Sequence, residues 1–552
     1  MDKRLSIALL LTAIVVAVTP ILFPTPKRTS QPVSASGVKK DSVLPVSAPV
    51  PNQTAPSTVA SVVDSTPQTA PVSTQAEVTT VETTRSIYRF SNLGATPVSV
   101  VMKEYRSLSP SVKGQPVDLH VTGQSLLRYS LVVQHDTIAL SGTPFQLSRS
   151  SGAEGSTVLT YRAVVSGIPV AISYDISRDR YVVRTTGRVE TTGPAYLLVE
   201  MPTGLPITEG DSLSDLRTLS YSFKPLRSNA RGIPFGKLDP GEKRLEAEPL
   251  SWVAVRNKYF VLGLINPEGS VFEEMTMVGG PRTSKLATNA SATLVKAVKS
   301  GTFSFDMYVG PQQSGQLISM GRDFDHVNPY GWSFLQPVIN PIAALCIKLL
   351  LWMHDHLKLS YGWVLVIFGV FIRIALWPLN QSAMRSSLKM QEIQPRLAEV
   401  QKKYKDKPEK QREEMMKVYQ EAGASPFTAL SGCLPMLIPM PVLFALFFVF
   451  QNTIEFRGVP FLWLADISIK DPLFILPVLM GISMYLLSWI GLRNAPPNPQ
   501  AKMMSYMFPV MMTFVLANMA SGLNLYYTAQ NLAALPQQWL LAKERAKAKR
   551  SG

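Results

Sequence analysis

From residue 360 onward the chain carries four apolar stretches, 360–379, 434–450, 473–492 and 503–541, with no Asp or Glu inside any of them. A run of about 20 apolar residues matches the thickness of bilayer hydrocarbon. Backbone polar groups inside lipid must be satisfied within the segment, so such runs fold as helices. The last stretch is too long for one crossing, and Ser521-Gly522 divides it into 503–519 and 522–541. A further apolar run over residues 5–23 follows Lys3 and Arg4. Pro20 after Ala17-Val18-Thr19 spoils a small-x-small cleavage site, so residues 1–23 read as an uncleaved anchor. The expectation is an all-α membrane bundle of six transmembrane helices, the last five forming a core over 358–541.

Charge tests that topology. The segment 380–433 carries ten Lys/Arg, Arg493 and Lys502 flank the next connection, and the tail 542–552 holds Lys543, Arg545, Lys547, Lys549 and Arg550. The connection 451–472 holds only Arg457 and Lys470. Positive charge gathers on the cytoplasmic side of short loops, which places both termini inside. The formal net charge of +16, concentrated near the apolar runs, points to topology signals, anionic lipid or ribosomal RNA and not to DNA. Residues 334–353 are apolar but interrupted by Pro337, Pro341 and Lys348. A span there would invert the charge agreement downstream, so 334–357 reads as an amphipathic helix lying in the interface. His354 and His356 lack further ligands, and no metal site is expected.

Residues 24–84 are rich in Pro, Ser and Thr and read as a flexible linker. Residues 85–325 then alternate: Val170, Ile172, Tyr174 and Ile176 face one way, as do Phe303, Phe305, Met307 and Val309. Period two marks half-buried strands, so this segment is expected to be an all-β sandwich on the outer side. The only cysteines are Cys346 and Cys433, so no disulfide staples the β-domain.

Phosphate-loop, HExxH and GxSxG signatures are absent from the sequence, and no enzyme activity or cofactor is expected. Arg373 is the one charged residue within the five C-terminal spans. Insertion scales put an arginine at mid-helix at about 2.5–3.5 kcal/mol. Two readings stay open: snorkelling to nearby head groups, or hydration in a groove open to the cytoplasm. In the last span Asn524, Thr528 and Asn531 share a face beside Tyr527, either lining such a groove or joining helices. Met436, Met440, Phe444 and Phe447 fall on one oily stripe, suited to variable apolar partners or to plain lipid contact. Between the first two spans of this core, residues 381–428 read as a helical hairpin. Its first arm carries a seam of Met390, Ile393, Leu397, Val400 and Tyr404.

Phe371-Ile372-Arg373 with Trp377-Pro378-Leu379, Met390-Gln391-Glu392-Ile393-Gln394-Pro395, Gly432-Cys433-Leu434-Pro435, Ile475-Leu476-Pro477-Val478 and Ser521-Gly522-Leu523-Asn524 occur in this order. Together they resemble the YidC-type membrane protein insertases, in the Gram-negative form with a large periplasmic domain. The resemblance implies an insertase core with a hydrophilic groove around Arg373, Asn524, Tyr527, Thr528 and Asn531. It implies an apolar client slide along Met436, Met440, Phe444 and Phe447, a supersandwich-like periplasmic domain and a cytoplasmic hairpin. The tail residues Lys543, Arg545, Lys547, Lys549 and Arg550 would touch ribosomes or anionic lipids. Newly made membrane proteins would be the clients, and the secretion translocon a partner. Rival readings are a secondary transporter of a small solute, which the acid-free spans disfavour, and a membrane-anchored periplasmic binding or scaffold protein.

Overall fold

The computed structural model describes residues 76–551 except 283–286, 329–334, 379–380, 382–392, 394–395, 398, 406, 422–439 and 493–498. The anchor over 1–23, nearly all of the linker and Met436 lie outside the described residues.

Three antiparallel sheets of four, nine and six strands build the β-domain. The centre of the largest runs through Leu250–Arg256, Phe260–Ile265, Thr302–Pro311, Val182–Val189 and Ile168–Ile176. Alternation does what the sequence pattern predicts. Val170, Ile172, Tyr174 and Ile176 turn inward on one strand, and Phe303, Phe305, Met307 and Val309 on another. They join one apolar cluster with Leu197, Val199, Met275, Met277 and Leu294 of the six-stranded sheet. Burial of each such side chain contributes about 1.5–3 kcal/mol, enough to hold the domain without disulfides.

Two details differ from the sequence pattern. The first strand, Val78–Glu82, falls inside the segment assigned to linker. Val81 alone anchors it, 1% exposed in the core, and one inward Val among Thr residues is too little for composition to register. On Ala290–Val298 the inward series Ala290, Ala292, Leu294 closes on Lys296, which is buried. Its ammonium donates to Asn266 Oδ1, Ser270 Oγ and the Val271 carbonyl.

Two short helices, α1 (Ser212–Thr218) and α2 (Ser314–Ser319), belong to the β-domain. Then come α3 (Gln336–Leu357), α4 (Tyr361–Ala375), α5 (Pro408–Glu421), α6 (Met440–Asn452), α7 (Ile475–Leu492), α8 (Pro499–Leu516) and α9 (Ser521–Ser551). Among the described residues, α3 and α7 are the helices long and apolar enough to cross a bilayer, while α4 and α6 are shorter apolar helices. The α3 segment is the one that the charge pattern assigns to the interface. Before α5, Ile393 and Leu397 pack against Tyr419, Met415 and Val418.

β-domain and helices meet at the connection between α6 and α7. Arg457 Nε donates to Glu209 Oε1 at 2.9 Å and its Nη2 donates to the Arg106 carbonyl at 2.8 Å. Both side chains of the ion pair are buried, at 6% and 4% exposure. The guanidinium also stands over the rings of Tyr259 and Phe260. From the same connection, the carbonyls of Ile469 and Ile467 accept the Ser521 and Gly522 N–H groups that open α9.

Candidate functional site among the apolar helices

The site begins with a glycine. A Cβ at Gly369 on α4 would lie 3.0 Å from the Tyr526 carbonyl oxygen and 3.3 Å from the Ala529 Cβ. Glycine therefore lets α4 and α9 close tightly, with the Phe368 and Tyr526 rings 5.8 Å apart beside it. One turn further along α4, on the same face, Arg373 Nη2 donates to Gln537 Oε1 at 2.7 Å. The guanidinium thus meets a neutral amide of α9. Arg373 Nε and Gln537 Nε2 are buried and find no hydrogen-bond partner among the described residues. A charge-assisted bond is stronger than a neutral one, yet one amide oxygen cannot satisfy all five guanidinium donors.

Around that pair α9 carries further polar groups. Asn531 Nδ2 donates to Ser483 Oγ of α7 at 3.0 Å, and Ser483 Oγ donates to the Met480 carbonyl. Asn524 is fully buried, and its Nδ2 donates to the Leu516 carbonyl at 3.0 Å, closing the turn from α8 into α9. Thr528 Oγ1 donates back to the Asn524 carbonyl. Tyr527 is half-buried, its ring edge-on to Tyr526 at 5.2 Å. The structure therefore joins Arg373 to Gln537, whereas Asn524 and Asn531 bond to neighbouring helices. Gln537 escapes sequence reading because it is neutral and sits beside Pro536. The available signal was its seven-residue spacing from Gln530, which repeats the spacing of Asn524 and Asn531.

Met440, Phe444 and Phe447 are half-buried along α6, with the Phe447 ring edge-on to Phe448 at 5.1 Å. Met436 of the same stripe is not among the described residues. The basic segment is no loose tail: α9 continues unbroken to Ser551. Lys543 is exposed, its ammonium 3.4 Å from the centre of the Trp539 ring. The side chains of Arg545, Lys547, Lys549 and Arg550 lie outside the described residues.

Residues 352–549 match the family described as 60Kd inner membrane protein, and residues 78–342 match the YidC periplasmic domain. A relative from Chlorobaculum parvum, Membrane protein insertase YidC, is 30% identical over 98% of this chain and 94% of its own length. The chain belongs to the YidC family of membrane protein insertases. The relative of that name from Chlorobium luteolum is 29% identical over 98% of this chain and 95% of its own length. A solved structure titled "Active YidC insertase crystal structure with the first transmembrane domain resolved" is 17% identical, covers 84% of this chain and 92% of its own, and has a TM-score of 0.33. Family membership bears out the resemblance read from the motifs and favours neither the transporter nor the scaffold reading. The YidC family consists of inner-membrane insertases and is not an enzyme class.

Proposed function

We propose that the chain moves client transmembrane segments from a hydrophilic groove, open to the cytoplasm, into the lipid bilayer. The observation that carries this reading is Arg373, a cation between apolar helices that bonds to the Gln537 amide and keeps a buried Nε with no partner among the described residues. Water or a client's polar end supplies the remaining hydrogen bonds. Asn524, Tyr527, Thr528 and Asn531 belong to the groove wall or to the contacts that support it. A client's apolar segment leaves along Met436, Met440, Phe444 and Phe447, driven by burial of apolar area. The membrane potential assists acidic ends by about 2.3 kcal/mol per charge per 100 mV.

Six spans in all, with both termini and the hairpin over 381–428 in the cytoplasm and the β-domain in the periplasm, fit the charge distribution. The basic end of α9 meets ribosomes or anionic lipid, and the secretion translocon is a further partner.

Insertion of a single-span client into liposomes tests the mechanism. Arg373→Ala is expected to lower insertion at least about tenfold, equivalent to about 1.4 kcal/mol, and Arg373→Lys to retain part of it. Unchanged insertion by Arg373→Ala would remove the groove from the mechanism.

A further inference from the structure

Where the β-domain meets the helices, polar side chains converge on a small cavity that Ser314, Leu317 and Ile347 also line. Gln312, Asp325 and Asn328 come from the end of the β-domain, and Asn452, Thr453 and Glu455 from the end of α6 and the turn after it. The cavity measures about 20 Å³, room for a single water-sized occupant.

Four of these lining residues each have a buried oxygen that finds no hydrogen-bond partner among the described residues: Gln312 Oε1, Asn328 Oδ1, Thr453 Oγ1 and Glu455 Oε2. Gln312, Asn328 and Thr453 are only 5%, 4% and 4% exposed. The Gln312 amide cannot be flipped without loss. Its Nε2 donates to the Asn257 carbonyl at 2.8 Å and to the Phe260 carbonyl at 3.1 Å, so Oε1 is the atom left over. Glu455 accepts the N–H of Ser314, the first residue of α2, in addition.

The chemistry of the four atoms narrows the occupant. Two amide oxygens and a carboxylate oxygen only accept, while the Thr453 hydroxyl does either. Burial alone pushes the Glu455 carboxyl upward, and a cation beside it would hold it ionised; against an ionised carboxylate and two amide oxygens one water offers only two protons. A cation satisfies all four at once. The donors are hard oxygens, with two carboxylates, Glu455 and Asp325, among the lining residues. Carboxylate together with Asn, Gln and hydroxyl oxygen is the ligand set of Ca²⁺, which tolerates irregular geometry. Mg²⁺ demands near-ideal octahedral geometry and gives up its waters reluctantly, so an irregular set of side-chain oxygens disfavours it.

We propose that the seam cavity is a calcium site that locks the β-domain onto the helical core. Gln312 Oε1, Asn328 Oδ1, Thr453 Oγ1 and the Glu455 and Asp325 carboxylates coordinate the ion, the carboxylates through both oxygens, which brings the set into the six-to-eight range of Ca²⁺. The site is independent of Arg373 and its groove, so the two readings stand or fall separately.

The test uses the full-length chain in nanodiscs, stripped with chelator, then titrated with CaCl₂ by calorimetry and by melting curves. One Ca²⁺ per chain is expected, with a dissociation constant of about 10⁻⁴–10⁻³ M, the range of extracellular calcium modules, and a melting temperature that rises with calcium. MgCl₂ should bind at least about tenfold more weakly. Glu455→Gln keeps an acceptor for the Ser314 N–H but halves the charge, and should weaken calcium binding at least tenfold. Asp325→Asn makes the same test if Glu455→Gln fails to fold. No heat and no melting shift at about 10 mM calcium, well above the expected dissociation constant, would mean that a water fills the cavity and overturn the proposal. So would a response that Mg²⁺ matches, or one that survives both substitutions.

Discussion

Arg373 and Lys296 are both cations out of water, and only one of them announces itself in the sequence. Arg373 is legible because nothing else in its span is charged. Lys296 hides in a strand whose outward positions, Ser291, Thr293, Val295 and Ala297, mix polar and apolar residues, and only the inward phase set by Ala290, Ala292 and Leu294 marks it as buried. Burial, with Lys299 nearby as the second cause, holds the Lys296 ammonium down to about 8. The unfolded value is about 10.4. Between these values the folded chain binds fewer protons than the unfolded one, so stability from this site rises with pH across that window and is flat below it. Melting of wild type against Lys296→Met should therefore show the wild type gaining ground between about pH 8 and 10, the span of that shift. A difference that stays constant over this range contradicts the assignment.

At the scale of elements, helix pairing depends on where side chains are missing. Gly369 brings α4 against α9, and that contact sets Arg373 opposite Gln537. Gly369→Val adds a branched side chain where a single Cβ already lies 3.0 Å from a carbonyl oxygen. Overpacking of this kind costs about 1–3 kcal/mol. Both the melting temperature and client insertion should fall although no polar group is altered, and wild-type values for both would show that the two helices do not touch there. The Ser521-Gly522 break between the last two spans is legible as a small-residue interruption, and α9 does begin at Ser521. Its extension to Ser551 is less obvious, because clustered Lys and Arg read as a solvated tail. Ala, Lys, Arg and Glu are strong helix formers, and that propensity carries the helix onward. Similarly, the strand Val78–Glu82 is lost to composition because a single Val fixes it.

For the whole molecule, the Arg457–Glu209 pair is the clearest joint between β-domain and helices, and no local pattern could have revealed it: its partners stand far apart in the chain. Removing one member of a buried pair leaves the other uncompensated, at about 3–5 kcal/mol. Arg457→Ala should loosen the joint and lower the melting temperature. Adding Glu209→Gln should restore part of the loss, because the stranded charge is then gone. A single variant that melts like wild type would show that the pair contributes nothing. The connection that carries Arg457 also carries Glu455 and, through Ile467 and Ile469, receives the first turn of α9. The β-domain is thus seated in a fitted socket and not merely trailed on a leash. A foreign sandwich grafted in its place would be attached but would not be aimed, leaving an empty berth with an unmatched arginine at its floor.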